Sequence, residues 1–146
     1  MDAPRVSFYV LPEADERARL VYACRLVEKA YLQDHSVLVH CESVEQAREF
    51  DELLWVFSDQ SFVPHDVAAA GADRRAPVMI CTGDEPRLDG DVLVNLASEA
   101  PAAFRRHARV AEILDGDEER RRAGRERFRF YREQGLEPET HNLGRS

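Results

Sequence analysis

Arg121, Arg125, Phe128 and Arg132 follow one another at steps of four, three and four. Helical residues lie about 100° apart, so this spacing puts three guanidinium groups and one ring on a narrow stripe, with Ala123 and Phe130 on the opposite, core-facing side. A guanidinium fork suits a carboxylate or a phosphate, and the ring beside it offers an apolar contact or a stacking face. Like charges at i, i+4 cost about 0.2–0.5 kcal/mol per pair, so helix stability alone does not select Arg121 with Arg125. The stripe suits an anion with an apolar neighbour, either an acidic peptide ending in a hydrophobic residue or single-stranded nucleic acid. A plainer reading is a solvated face laced by Glu118–Arg122 and Arg122–Glu126 pairs.

A second set of residues suggests docking. The pattern Val44, Ala47, Phe50, Leu54, Phe57 predicts a helix that buries one stripe, and Trp55 falls off it, shortly before Phe62. These aromatics either plug the gap between helix and loop or anchor a protein interface.

Acid–base or metal chemistry finds less support. His40-Cys41-Glu42 and His65-Asp66 are the only local clusters of suitable groups, and both read as structural, a strand end and a Pro-His turn capped by Asp66. The chain has no Gly-x-Ser-x-Gly elbow and no His-Glu-x-x-His, and Asp84 to Asp91 lacks calcium-ligand spacing. The turn Leu11-Pro-Glu-Ala-Asp-Glu16 has no glycine to let backbone N–H groups approach a phosphate. No catalytic residue, metal or cofactor is expected.

The elements that must position these residues follow from hydrophobic runs. Val6–Leu11, Val37–His40, Val78–Cys81, Val92–Leu96 and Val110–Leu114 read as buried parallel strands. Leu20, Ala23, Cys24, Val27, Ala30 and Tyr31 predict a helix between the first two, and a last helix runs from Asp117-Glu-Glu119 through the arginines to Gly135. The expected fold is a three-layer α/β/α sandwich with a mostly parallel sheet of about five strands, nucleotide-binding-like but without a phosphate loop. At 146 residues it forms one domain, with a folded core over 1–135 and a tail over 136–146; the segments 68–75 and 83–90 read as surface loops.

Charge is unevenly spread. The net charge is −8, yet Arg120 to Arg132 holds seven Arg and one Glu, so the other 133 residues carry −14. One basic patch on an acidic body points to local anion recognition rather than general affinity for polyanions, and favours the acidic peptide over a nucleic-acid strand. Cys24, Cys41 and Cys81 are odd in number, far apart and within apolar runs, which suits a reduced, cytoplasmic protein. No apolar run approaches bilayer length and the N-terminus lacks an export pattern, so no membrane role is expected.

Phe8-Tyr9-Val-Leu11, the Val37–Cys41 run followed by Glu42, Asp51-Glu-x-Leu-Trp55, Ser61-Phe-Val-Pro-His65 and Arg125-Glu-Arg-Phe-Arg-Phe-Tyr-Arg132 followed by Gly135 occur in order. Over nearly its whole length the chain resembles the chi subunit family of bacterial DNA polymerase III. That resemblance implies an α/β fold without nucleotide or catalysis, in a clamp-loader accessory subunit. It implies that Trp55 and Phe62 contact the psi subunit, with an XPD-type DNA helicase as an alternative partner. It also implies that the acidic tail of single-strand-binding protein, ending Asp-Asp-Ile-Pro-Phe, meets Leu114, Arg121, Arg125 and Phe128. Arg125 would hold the terminal carboxylate, and Leu114 with Phe128 would line the pocket for the terminal Phe. The family has Lys where this chain has Arg121 and Tyr where it has Phe128.

The resulting expectation is a non-catalytic adaptor in DNA replication. It would link the clamp loader, through psi, to single-strand-binding protein on lagging-strand DNA. The alternatives are direct single-stranded DNA binding by the Arg stripe, and a nucleotide-dependent enzyme on the same sheet.

Overall fold

A computed structural model describes residues 3–59, 62–68, 76–83 and 90–144. Most of the two expected loops, and with them Asp84 to Asp89, lie outside the described residues. In chain order the elements are β1 (Arg5–Val10), α1 (Glu16–Leu32), β2 (Val37–Cys41), α2 (Val44–Val56), β3 (His65–Val67), β4 (Val78–Thr82), β5 (Gly90–Asn95), a short 3-10 turn (Ala102–Arg106), β6 (His107–Leu114), α3 (Glu118–Glu133) and β7 (Glu139–Asn142).

All strand pairs are parallel, in the order β3-β4-β2-β5-β6-β1-β7. The α/β class is as the runs predict, but the sheet has seven strands where five were expected. The two additions are edge strands. β3 has three residues, beginning at the His65 that composition assigns to a turn, and β7 reads Glu-Thr-His-Asn with every residue exposed. Neither carries an apolar run; only backbone pairing defines them.

Strand residues alternate between two cores. Val37, Val39, Val78, Ile80, Val92, Val94 and Ile113 pack under α1 and α2. Val6, Phe8, Leu38, Met79, Leu93, Val110 and Leu114 pack under α3 and the 3-10 turn, against Tyr131, Leu136 and Phe104. On α2, Ala47, Phe50, Leu53 and Leu54 are buried, whereas Val44, expected in the stripe, is exposed at the first helical position.

Local signals set the helix ends. Asp15, Ser43 and Asp117 take extended backbone and each accepts the N–H three residues on, from Ala18, Gln46 and Arg120. At the end of α3, Gly135 has φ +86°, the Gly135 N–H reaches the Arg132 carbonyl, and the Leu136 N–H reaches the Tyr131 carbonyl. This is a Schellman stop, with its apolar contact made by buried Leu136 and Tyr131. The stop turns the chain back toward β1, where Ser7 to Val10 pair with Glu139 to Asn142. The boundary drawn at Gly135 ends the helix but not the folded sheet.

Two carboxylates are fully buried at this end of the sheet, Glu112 within β6 and Asp115 just after it. Glu112 accepts from Arg127 Nε (2.9 Å), Tyr131 Oη (2.7 Å) and Asn95 Nδ2 (3.0 Å). The Asn95 Oδ1 in turn meets His40 Nδ1 at 2.9 Å. Burial, followed by the adjoining Glu112 carboxylate, pushes the Tyr131 hydroxyl up, so it donates as a neutral phenol. Asp115 accepts the N–H of Asp15 (2.8 Å) and of Asp117 (3.1 Å), together with a bidentate Arg120 fork at 2.9 and 2.7 Å. It thus ties the starts of α1 and α3 to one strand end.

Removing one partner of a buried pair strands the other charge, so Glu112→Ala should lower unfolding free energy by about 3–5 kcal/mol in urea titration. Replacing Glu112 and Arg127 together by Met should recover part of that loss. For Asp115, burial alone would raise the carboxyl, but the Arg120, Asp117 and Asp15 hydrogen bonds outweigh it and hold it below the usual carboxylate range. Its stabilising contribution is complete above about pH 4 and is lost as pH falls through the lowered value. Acid titration of wild type and Asp115→Asn should therefore show a shallower decline below pH 4 for the variant.

Candidate functional site

Leu114, Arg121, Arg125 and Phe128 come together as expected. With Phe8, Val10, Gly124 and Thr140 they line a pocket of about 180 Å³ between α3 and the β1–β7 edge. Phe8 and Phe128 form its aromatic wall, with ring centroids 5.4 Å apart and tilted 50°. Gly124 keeps the floor open: a Cβ there would stand 2.5 Å from Leu114 Cδ1. Arg132 is exposed in an adjoining open hollow of about 520 Å³, which it shares with Arg125, Phe128, Arg129 and Glu133.

The arginines divide by their partners. Arg120 and Arg127 are taken by Asp115 and Glu112. Arg121 donates from Nε to the Asp115 carbonyl at 2.9 Å and reaches the Leu11 carbonyl at 3.5 Å, which parks its charge on the pocket rim. Arg122 pairs with Glu119 at 2.8 Å, not with the expected Glu118 or Glu126. The side chains of Arg125, Arg129 and Arg132 make no ion pair or hydrogen bond among the described residues. An acidic ligand at the pocket mouth would meet Arg125 without breaking an internal bond.

The inward face of α3 differs from the expectation. Its centre is Gly124, Arg127 and Tyr131, not Ala123 and Phe130, and Phe128 is half-buried against Phe8 rather than turned outward. Hydropathy places every Arg outside; the buried carboxylate Glu112 draws Arg127 in and rotates the helix. Sequence reading also missed Phe8, Val10, Gly124 and Thr140 as pocket residues. The isolated glycine inside a helix was the available signal, because such a residue costs about 1 kcal/mol unless close packing needs it.

A second surface lies at the opposite side of the sheet. Trp55 and Phe62, 49% and 67% exposed, stand with ring centroids 5.5 Å apart, and Trp55 lies 4.3 Å from the His65 ring. His65 is pinned beneath by the Val63 carbonyl at 2.6 Å and the Asp51 carboxylate at 3.1 Å. Exposed Val56 and Val67 extend the apolar patch. The two rings pack on each other between α2 and the segment that follows it, yet both stay largely exposed. From β3 to β7 there are six strand steps of about 4.8 Å, which separates the sheet edges by about 29 Å.

The crevice at the carboxyl ends of the strands, where open α/β sheets hold ligands, is lined by Glu16, Arg19, Glu42, Glu119, Arg120 and Arg127 among others. Its charges are engaged internally. Arg19 donates to the Ile113 and Leu96 carbonyls and to Glu16, and Glu42 accepts from the Ser98 N–H and hydroxyl. His40-Cys41-Glu42 thus holds strand ends together. Among the described residues no group of three or more His, Cys, Asp or Glu is placed to hold a metal ion. No described helix is long and apolar enough to cross a membrane. Cys24, Cys41 and Cys81 are buried and form no disulfide, and burial pushes the Cys24 thiol up to about 12.

Comparison with known proteins places the chain in a family. The family model described as "DNA polymerase III chi subunit, HolC" matches residues 3–139. The Pseudomonas aeruginosa protein named DNA polymerase III subunit chi is 45% identical over 141 residues, covering 97% of this chain and 98% of the relative. Its namesakes from Haemophilus influenzae and Escherichia coli are 30% and 28% identical, the first covering 97% of this chain and 99% of the relative, the second 80% of each. A match of this extent, with both the aromatic block and the arginine helix inside it, means that the chain belongs to the DNA polymerase III chi subunit family.

Proposed function

We propose that this chain is a non-catalytic adaptor of the replicative polymerase, working in the cytoplasm. The Trp55/Phe62 surface docks it to the clamp loader through the psi subunit, and the pocket beside Arg125 captures the acidic C-terminal tail of single-strand-binding protein. An XPD-type helicase is an alternative occupant of the aromatic surface. Holding two partners at once raises the polymerase's effective concentration at coated single strands.

The observation that carries this reading is an unpaired guanidinium, Arg125, at the mouth of an apolar pocket of about 180 Å³. An apolar cavity of about 150 Å³ takes up a benzene ring, so the pocket suits a terminal Phe whose carboxylate meets Arg125. Phe128 keeps the ring wall that the family builds with Tyr, without its hydroxyl. Arg121, where the family has Lys, spends its fork on two backbone carbonyls and leaves its charge at the rim.

Calorimetric titration with an acidic peptide ending in Asp-Asp-Ile-Pro-Phe should give binding at about micromolar strength. Removing the terminal Phe should abolish it; equal affinity for both peptides would dismiss the pocket. Arg125→Ala should weaken binding by roughly 1.5–3 kcal/mol without changing the thermal midpoint. Gly124→Ala pushes Leu114 into the pocket, so tail affinity should drop while stability stays within about 1 kcal/mol, helix propensity offsetting the repacking. Trp55→Ala should abolish capture of psi and leave the tail titration intact; loss of both together would signal misfolding.

A further inference from the structure

The alternation of β1 that sends Phe8 and Val10 to the tail pocket sends Arg5, Ser7 and Tyr9 to the other face. There α1 packs on β2, β5 and β6, and the β1–β7 edge is left as a groove of about 260 Å³. Arg5 and Arg109 are register neighbours on adjacent strands, both lining this groove. Like charges so placed, about 4.8 Å apart between strands, destabilise a sheet unless something neutral or negative separates them. Lys29, from the last turn of α1, is a third cation in the same lining. None of the three side chains makes an ion pair or hydrogen bond among the described residues. Glu139 is the single acid in the lining, and it leans toward His141 at 3.7 Å. A chain of net charge −8 thus gathers three unpaired cations against one acid in a single groove.

Next to the cations lies a planar platform. The Tyr9 and His141 rings stack at 5.0 Å and 16°, on neighbouring strands at paired positions. The His141 side chain is 46% exposed, which leaves part of the imidazole open to a further ring. From Arg5 to Tyr9 the strand runs about 13 Å, long enough to pass more than one nucleotide. A row of cations beside an open stack is the arrangement that holds unpaired bases by their faces and their phosphates together.

We propose that this groove binds single-stranded nucleic acid, its phosphates on Arg5, Arg109 and Lys29 and a base on the His141–Tyr9 platform. The site lies on the opposite face of the sheet from the tail pocket and does not depend on the tail reading. The neighbouring platform distinguishes a strand from an acidic peptide, which would use the cations alone.

The test is fluorescence anisotropy of the full chain with a labelled oligothymidine of about 16 nucleotides across a salt series. Three cation contacts predict a log–log salt slope of about −2. The double variant Arg5→Ala/Arg109→Ala should bind at least about tenfold more weakly, with the slope shallower by about 1.4. His141→Ala should weaken binding about fivefold with the slope unchanged. Thermal midpoints equal to wild type establish that the exposed-site variants are folded, and their affinity for the acidic tail peptide should not move. Absence of binding at low salt, or undiminished binding by the double variant, would overturn the proposal. So would competition by thymidine monophosphate or by polyglutamate at the concentration of the unlabelled oligonucleotide, the first pointing to a small-anion pocket and the second to an acidic-protein groove.

Discussion

Two buried carboxylates, Glu112 within β6 and Asp115 just past its end, organise the arginine side of this molecule. Glu112 and Asp115 sit three residues apart, both without solvent exposure, and between them fix the rotation and the start of α3. A carboxylate in such surroundings is tolerable only with charged hydrogen-bond donors, and α3 supplies them as Arg127 and Arg120. Once those two are drawn inward, 100° steps leave Arg125, Arg129 and Arg132 outside and set Phe128 half-buried at the seam against Phe8. The binding face of the helix is a consequence of which arginines the strand claims.

The same arrangement fills the crevice where open α/β sheets commonly hold a ligand. The crevice at the strand ends is crossed by Arg19, by the Glu42–Ser98 clasp and by the Asp115–Arg120 fork. Asp15 caps α1 with its own side chain, occupying the helix N-terminus that a phosphate would use in a dinucleotide fold. Internal polar bonds occupy the end of the sheet, and the exposed aromatic cluster and the pocket beside Arg125 lie toward its edges. One edge offers the Trp55/Phe62 cluster and the other the pocket beside Arg125, about 29 Å away across a rigid parallel sheet.

β7 shows how much a short edge strand can contribute. Its Thr140 completes the pocket beside Arg125 and its Glu139 and His141 line the groove behind. It reaches that place because Gly135 adopts a left-handed turn and Leu136 buries against Tyr131. A segment that composition reads as a tail after the last helix therefore borders both the pocket and the groove.

Hydrophobic runs and residue order in the chain determined the α/β class, the five central strands, the three helices, and the grouping of Leu114, Arg121, Arg125 and Phe128. These follow from local periodicity and from the order of side-chain blocks along the chain that carries the family resemblance. Tertiary structure alone decided the two polar edge strands, because β3 and β7 exist through backbone pairing that no side-chain pattern announces. It decided that Arg127 is core and Arg125 is surface, since the difference is made by Glu112, fifteen positions away in sequence and hidden under the helix. It also decided that Trp55 and Phe62 face solvent together, because His65, held by Asp51 and Val63, fills the space beneath them that either ring could otherwise have taken.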